Sequence, residues 1–214
     1  MKKYVNLFVF VFMIGACLSQ GRAQTKSAVS YKNPVVDIAM PDPTVIKAAD
    51  GYFYVYATES TRNVPIMKSK DLVEWTYCNT AFTNKTRPRF EPKAGIWAPD
   101  INYINGKYVL YYAMSVWGGE QTCGIGVATA NSPQGPFTDH GKMFRSNEIG
   151  VQNSIDPSLL QYEGRNYLVW GSFRGIYVIE LTADGLSIMP GAKKKRIAGT
   201  AFEAVYIHKY GDYY

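Results

Sequence analysis

One sequence pattern recurs four times along the chain and constrains its fold more than any other feature. Each copy has an acidic residue close to a proline or an alanine, then a glycine and an aromatic run. The acidic members are Asp42, Asp100, Asp156 and Glu203, separated by 58, 56 and 47 residues. Self-similarity at a period of this size indicates a repeat architecture in which each unit stacks on its neighbours.

The segments between the acidic residues are predicted to be short β-strands. Aromatic and β-branched runs bounded by turn residues occupy 52–58, 65–68, 108–114, 125–129, 167–172 and 176–181. We find no amphipathic helix longer than two turns. Short strands with turn signals about every ten residues are typical of all-β folds. Because each repeat holds about four strand-like segments, we interpret the repeats as blades of a β-propeller.

The propeller interpretation brings the four acidic residues together. The innermost strand of each blade lines the central channel, so residues at its start approach the axis. We therefore expect Asp42, Asp100, Asp156 and Glu203 to converge on one pocket. The alternative is that each acid only caps a turn, since Asp-Pro is common in turns. Four acids at the blade period favour convergence.

The N-terminus has the features of an export signal. Lys2 and Lys3 precede an apolar stretch over 7–16 that is too short to span a bilayer. Two processing sites compete: a small-x-small pattern ending at Ala23, and a lipobox-like sequence that would place a lipid on Cys17. Either route predicts a bacterial protein that is periplasmic, attached to the cell surface or secreted, with an outer-membrane lipid anchor if Cys17 is modified.

The predicted domain organisation follows from this signal. Residues 1–23 are expected to form the signal peptide, residues 24–32 a linker, and residues 33–214 part of a propeller domain. Nucleic acid is a poor partner for an exported chain despite its formal charge of +6. We interpret the basic run over 193–196 as a solvated loop.

The two cysteines that follow the signal, Cys78 and Cys123, do not make a disulfide framework. A bond between them is compatible with an exported protein, but two small buried side chains are the favoured interpretation. His140 and His208 are the only histidines, so Ser-His-Asp catalysis is disfavoured. We expect His208 to pack within a predicted strand. No metal-ligand spacing or phosphate-binding loop is present.

The acidic residues suit the hydrolysis of glycosidic bonds. That reaction needs one carboxylic acid to protonate the leaving oxygen and one carboxylate to activate water or attack the sugar. A third acid can tune the pKa of the others. Glu203 has apolar sequence neighbours, and apolar surroundings raise a carboxyl pKa, as a general acid requires. These neighbours are Ala201, Phe202, Ala204 and Val205.

Aromatic residues add a means of holding a sugar. Trp97 and Trp117 fall near the starts of predicted loops, where each ring could stack on a sugar face. Trp75 and Trp170 fit core positions within blades better.

The segments around the acidic residues resemble glycoside hydrolase family 43, whose members are five-bladed β-propeller enzymes. The motifs that carry the resemblance are Met40–Pro43, Gly95–Ile101, Asn153–Pro157 and Phe202–Ala204. Four further segments are similar to the endo-1,5-α-L-arabinanase branch of the family, at 106–112, 124–129, 135–141 and 170–173.

This resemblance implies a role for each acid. Asp42 would be the general base that activates water, Asp156 would orient and tune the general acid, and Glu203 would be that acid. The family inverts the anomeric centre. The substrate would be an arabinan polysaccharide or oligosaccharide, contacted by Trp97, Trp117, Asn153, Ser154 and Ser172. The resemblance implies no cofactor within this segment, although relatives carry a metal ion, commonly calcium, near a central histidine.

The chain departs from the family pattern in three ways. Pro41 stands where many relatives have a histidine, and Ala204 and Val205 stand where arabinanases often have proline or threonine. The sequence also ends at the start of a predicted fourth blade, so we expect about three blades and weak activity. An exo-acting α-L-arabinofuranosidase or β-xylosidase is the alternative within the enzymes, and a non-catalytic, truncated carbohydrate-binding propeller is the alternative outside them.

Overall fold

Three four-stranded antiparallel sheets make up the protein in a computed structural model, which describes residues 30–214. In each sheet the strands follow one another in chain order, as in a propeller blade. The first blade contains β1 (Thr44–Lys47), β2 (Phe53–Tyr56), β3 (Pro65–Ser69) and β4 (Thr76–Thr80). The second contains β5 (Gly95–Ile104), β6 (Lys107–Ser115), β7 (Gly124–Ala130) and β8 (Thr138–Arg145). The third contains β9 (Ser158–Tyr162), β10 (Arg165–Ser172), β11 (Gly175–Leu181) and β12 (Lys195–Ala198).

The secondary structure matches the all-β prediction. The six strands predicted from aromatic and β-branched runs coincide with β2, β3, β6, β7, β10 and β11. The helix α1 (Ser146–Ile149) is a single turn, and the described residues contain no other α-helix. The predicted signal peptide, the possible lipid attachment at Cys17 and most of the predicted linker lie outside the described residues.

Two aromatic-rich cores lie between consecutive blades. Tyr54, Tyr56 and Phe82 of the first blade pack with Ile96 and Tyr112 of the second. The next core includes Tyr111, Phe144, Leu168 and Trp170. Trp170 is completely buried, which confirms its predicted core position. Burying an aromatic side chain removes about 150–250 Å² from water, so these interfaces hold neighbouring blades together.

The first strands of the three blades are neighbours in space. Contacts join β1 to β5 and β5 to β9. The residues that enter these strands therefore meet around a common axis. The segment that contains Glu203 follows the third blade and has no strand of its own beyond an isolated bridge between Tyr210 and Tyr213.

Three local predictions are corrected or refined by the structure. Lys195 and Arg196 belong to the edge strand β12 rather than to a loop, although their side chains are exposed as expected. His208 lies outside any strand and is exposed, with its ring stacked on Tyr206 at a centroid distance of 6.4 Å. Cys78 and Cys123 are both free thiols, and only Cys123 is fully buried.

Within residues 30–214, no helix has the length and apolar character needed to cross a membrane.

Candidate active site

A residue with a left-handed backbone conformation occurs at the same position in each of the four repeats and defines how the repeats align. Asp42, Ala98, Asp156 and Ala204 have φ angles of 50°, 38°, 55° and 56°. Positive φ is uncommon for residues other than glycine and is found disproportionately at functional sites. Regular pairing begins two residues later, at Thr44 in β1 and at Ser158 in β9. In β5 it resumes at Asp100, after an irregularity that follows Trp97.

The structural alignment corrects the position of Asp100. Asp100 is equivalent to Thr44 and Ser158, not to Asp42 and Asp156, so the acid is shifted two residues into the strand. It lines a cavity wall but is only 6% exposed. We therefore assign Asp100 a structural role in the wall of the channel, rather than a place among the reactive acids.

The carboxylate of Asp100 joins the three blades. The backbone N–H of Leu159 donates to Oδ2 at 2.7 Å, as does Asn102 Nδ2 at 2.7 Å. Thr44 Oγ1 contacts Oδ1 at 3.4 Å. Burial raises the pKa of Asp100 to about 6, although these three hydrogen bonds oppose the rise.

The other three acidic residues share one cavity. Asp42, Asp156 and Glu203 line a space of about 480 Å³, together with Trp97 and other side chains. A second cavity of about 390 Å³ also borders Asp42 and Asp156. These two carboxylates therefore lie where the two spaces adjoin, at the centre of the group of blades.

Asp42 is held by a two-step hydrogen-bond chain. The hydroxyl of Thr58 donates to Asp42 Oδ2 at 2.6 Å. The same hydroxyl oxygen accepts the backbone N–H of Ala98 at 2.6 Å. Because Ala98 belongs to the second blade, this chain fixes the first-blade carboxylate relative to its neighbour.

Asp156 has the most altered electrostatics of the three acids. Burial and the negative charges of Glu203 and Asp42 together raise its pKa to about 7. A hydrogen bond from the backbone N–H of Ala204 acts in the opposite direction. Both of the other carboxyl groups therefore lie within electrostatic range of Asp156, as in the acid–base pairs of active sites.

Glu203 has a different environment from the one predicted. Its apolar sequence neighbours do not enclose it in the described residues, because Phe202 is 65% exposed and Ala201 and Ala204 are also exposed. Glu203 itself is exposed. The predicted apolar shell is therefore wrong for this structure, and the half-buried Asp156 is the least exposed of the three acids.

Two tryptophans and a phenylalanine form an aromatic wall of the cavity. The rings of Trp97 and Trp117 lie 6.5 Å apart at an interplanar angle of 55°. Trp117 is 94% exposed, so one face is available to a ligand. Phe173, which directly follows β10, is half-exposed and completes the wall. Phe173 was not predicted from the sequence as a wall residue. Its position as an aromatic residue at the channel end of a strand is a signal for that role.

The predicted polar substrate contacts separate into two groups. Asn153 lines the cavity, and its Nδ2 donates to Ser172 Oγ at 2.7 Å. Ser154 and Ser172 are completely buried. The Ser154 hydroxyl donates to Val151 O at 2.8 Å and accepts Trp170 Nε1 at 3.1 Å. Direct sugar contacts by these two serines are therefore a prediction that the structure corrects, and both instead hold other residues of the site in place.

Glu120 at the cavity rim ties two loops together. Its carboxylate accepts Arg174 Nε at 3.0 Å and also contacts Gln152. Its backbone carbonyl accepts the N–H of Asn153 at 2.7 Å. The loop that carries Trp117 is thereby joined to the third blade. Motif analysis gave no signal for this residue.

Residues 30–214 contain no group of three or more His, Cys, Asp or Glu side chains placed to hold a metal ion.

The blades and the arrangement of the acidic residues agree with a match to a model of a protein family. The model that describes glycosyl hydrolases family 43 matches residues 31–214. The chain belongs to this family. Its arabinanase structural neighbours are five-bladed β-propellers, and this chain covers part of that fold.

Relatives in the family include arabinan-degrading enzymes. The extracellular endo-α-(1→5)-L-arabinanase 1 of Bacillus subtilis is 35% identical over 187 residues, which cover 81% of this chain and 57% of the relative. The probable arabinan endo-1,5-α-L-arabinosidase C of Aspergillus niger is 33% identical over 182 residues, covering 81% and 56%. The solved exo-1,5-α-L-arabinanase from a bovine ruminal metagenomic library is 29% identical, with a TM-score of 0.70, covering 85% of this chain and 65% of that one. The chain thus spans a little over half the length of these curated relatives.

Proposed function

We propose that this chain is the acid-bearing part of a glycoside hydrolase that cleaves α-1,5-linked L-arabinan in plant polysaccharides with inversion at the anomeric carbon. Three carboxyl groups and an aromatic wall on one cavity carry the proposal. The names of the Bacillus subtilis and Aspergillus niger relatives support the choice of arabinan as substrate.

In the proposed reaction Asp42 is the general base. Its Oδ2 is engaged by Thr58, and the other oxygen removes a proton from a water molecule. The water oxygen forms a bond to the anomeric carbon while the bond from that carbon to the leaving oxygen breaks. An inverting enzyme needs about 6.5–9.5 Å between its two carboxyl groups to leave room for the water. We expect this separation between Asp42 and Glu203 when substrate is bound.

Glu203 supplies the proton that the leaving oxygen needs. The negative charge of Glu203 raises the pKa of Asp156, so these two carboxyl groups interact. Such coupling between neighbouring carboxyl groups favours retention of one proton by the group. We propose that Asp156 orients Glu203 toward the leaving oxygen, and that Asn153 and the aromatic wall orient the sugar.

The test is hydrolysis of debranched arabinan by the purified full-length protein, with xylan and cellulose as comparison polymers. We expect short arabino-oligosaccharides from arabinan and no products from the other two. Asp42→Ala should abolish turnover because it removes the proposed base, whereas the exposed Asp37→Asn variant should retain it. Full activity in Asp42→Ala would contradict the assignment of the base.

An exo-acting enzyme is the second candidate, and the exo-1,5-α-L-arabinanase among the structural neighbours favours it. The time course separates the two. Oligosaccharides of several lengths in the first minutes indicate endo action, whereas a single small product from the start indicates exo action.

We also propose that the protein is exported. The basic and apolar N-terminal pattern supports this location, as does the description of the Bacillus subtilis relative as extracellular. A lipid on Cys17 would keep the enzyme at a membrane surface.

A further inference from the structure

A third cavity lies beside the proposed active site and has a different chemical character. It encloses about 400 Å³. Its inner surface includes the side chains of Ala94 and the buried Met114, and prolines form part of its walls. Arg62, Arg89 and Lys93 are exposed residues on its lining. An apolar floor with cationic edges suits a ring that carries a negative group.

The positive charges on this cavity are not neutralised by the protein. No ion pair within residues 30–214 involves Arg62, Arg89 or Lys93. Arg62 Nε donates to Asn84 Oδ1 at 2.9 Å, and Arg89 Nη2 donates to the Asn84 carbonyl at 2.8 Å. Both acceptors are uncharged oxygens, so neither contact neutralises the charge of its guanidinium group. Most N–H donors of the two groups remain available to a ligand.

The one acidic residue on the cavity lining is already paired. Glu91 forms an ion pair with Arg145 and accepts Thr122 Oγ1 at 3.1 Å. Glu91 therefore cannot cancel the charge of the three exposed basic residues. The cavity keeps a net positive charge.

The loop that forms this cavity is built on a buried ion pair. Arg87 pairs with Glu59, and both side chains are buried. Arg87 also donates to the carbonyl of Ala94 at 2.7 Å, while Glu59 accepts the N–H of Ile96 at 2.9 Å. Pro88 and Pro92 restrict the backbone further. These contacts hold the loop that carries the basic side chains in one conformation.

The location of the cavity connects it to the substrate. Ala94 directly precedes β5, and Trp97 of that strand lines the acid-bearing cavity. Glu91 contacts Thr122, which belongs to the loop that carries Trp117. The two cavities are therefore adjacent along one end of the second blade.

We propose that this basic cavity binds a uronic acid unit of an acidic polysaccharide. The apolar floor would contact the sugar ring, and Arg62, Arg89 and Lys93 would bind its carboxylate, since arginine donors match carboxylate geometry. The proposal rests on the function proposed above in one respect: the acidic sugar would belong to the same polymer as the arabinan. The cavity would then hold the enzyme on substrate regions that carry negative charge.

The test is direct binding of trigalacturonate to the full-length protein, measured by calorimetry at low and moderate salt. Trigalacturonate contains no arabinose, so binding is measured whether or not the protein cleaves arabinan. Its methyl ester, in which the carboxylates are neutral, and inorganic phosphate are the comparison ligands. The triple variant Arg62→Gln, Arg89→Gln, Lys93→Gln removes the charges, and Lys85→Gln on the same loop is the matched control because Lys85 does not line the cavity.

We expect trigalacturonate to bind more tightly than its methyl ester and than phosphate. Loss of three solvent-exposed charge contacts should weaken binding about tenfold, and added salt should weaken wild-type binding. Lys85→Gln should bind within twofold of wild type. No binding by the wild-type protein, equal binding of phosphate, or unchanged binding in a folded triple variant would overturn the proposal. Binding of trigalacturonate without arabinan hydrolysis would support this site and contradict the proposed function instead.

Discussion

Replacing Asp156 with asparagine should stabilise the protein, by an amount that increases with pH. The pKa of Asp156 is about 7 in the folded protein, against 3.8 for an ordinary aspartate. Between these two values the folded state binds more protons than the unfolded state, so the free energy of unfolding falls as pH rises. Below the ordinary pKa both states are protonated and the penalty disappears. Above pH 7 it is complete.

The size of the effect follows from the two pKa values. Each unit of difference corresponds to 1.36 kcal/mol, so the ionised side chain costs about 4 kcal/mol of stability above pH 7. At pH 5, where the folded state keeps its proton, the cost is about 1.5 kcal/mol. Asparagine carries no charge and its side-chain oxygen can still accept the N–H of Ala204. The variant should therefore recover most of these amounts.

Urea unfolding of the wild type and of Asp156→Asn at pH 5 and pH 8 measures this difference. The stabilisation should be larger at pH 8 by about 2.5 kcal/mol, equivalent to about 2–4 °C in Tm for each kcal/mol in a domain of this size. Asp37→Asn, which changes an exposed aspartate, is the control and should show no such dependence. Equal stabilisation at both pH values, or destabilisation at pH 8, would refute the electrostatic account of Asp156.

Three further changes test separate parts of the molecule. Glu203→Ala should retain more activity on an activated aryl arabinoside than on arabinan, because the aryl leaving group needs no proton; equal losses of kcat/KM on both would contradict its role as the acid. Ser154→Ala should lower the free energy of unfolding in urea by about 1–3 kcal/mol, because it leaves the buried indole N–H of Trp170 without a partner. Ser187→Ala, at an exposed serine, is its control. Cys17→Ser should abolish any incorporation of radioactive palmitate in the native host, and a mature protein that still begins at Met1 would contradict export.

The blade pattern was predictable because it depends on local composition. The central strands β6 and β10 combine aromatic and branched residues with turn residues at both ends, and they are buried over most of their length. Such segments form strands with few alternatives. The outer strand β12 has four exposed residues, and the first two of them are basic, so no hydrophobic pattern identified it.

The site was predictable only in part because tertiary contacts decide the rest. The irregular pairing between Trp97 and Asp100 shifts an acid by two positions, and a single sequence does not reveal such an insertion. Asp100 can be buried because its carboxylate accepts the backbone N–H of Leu159, which lies 59 residues away along the chain. The exposure of Glu203 likewise depends on what packs around it, not on its sequence neighbours. Asp42, Asp156 and Glu203 converged as expected, and the first two share both a proline and the same place in the repeat.

The left-handed residue that recurs in the four repeats has a consequence for how such a protein can evolve. The residue carries a carboxylate at Asp42 and Asp156 but only a methyl group at Ala98 and Ala204, so its conformation does not depend on the acid. All four positions border the central cavities. A single codon change at any of them adds or removes a functional group while the cores between the blades stay intact. A lineage built on this ring can therefore explore new reactions one blade at a time, without first inventing a new fold.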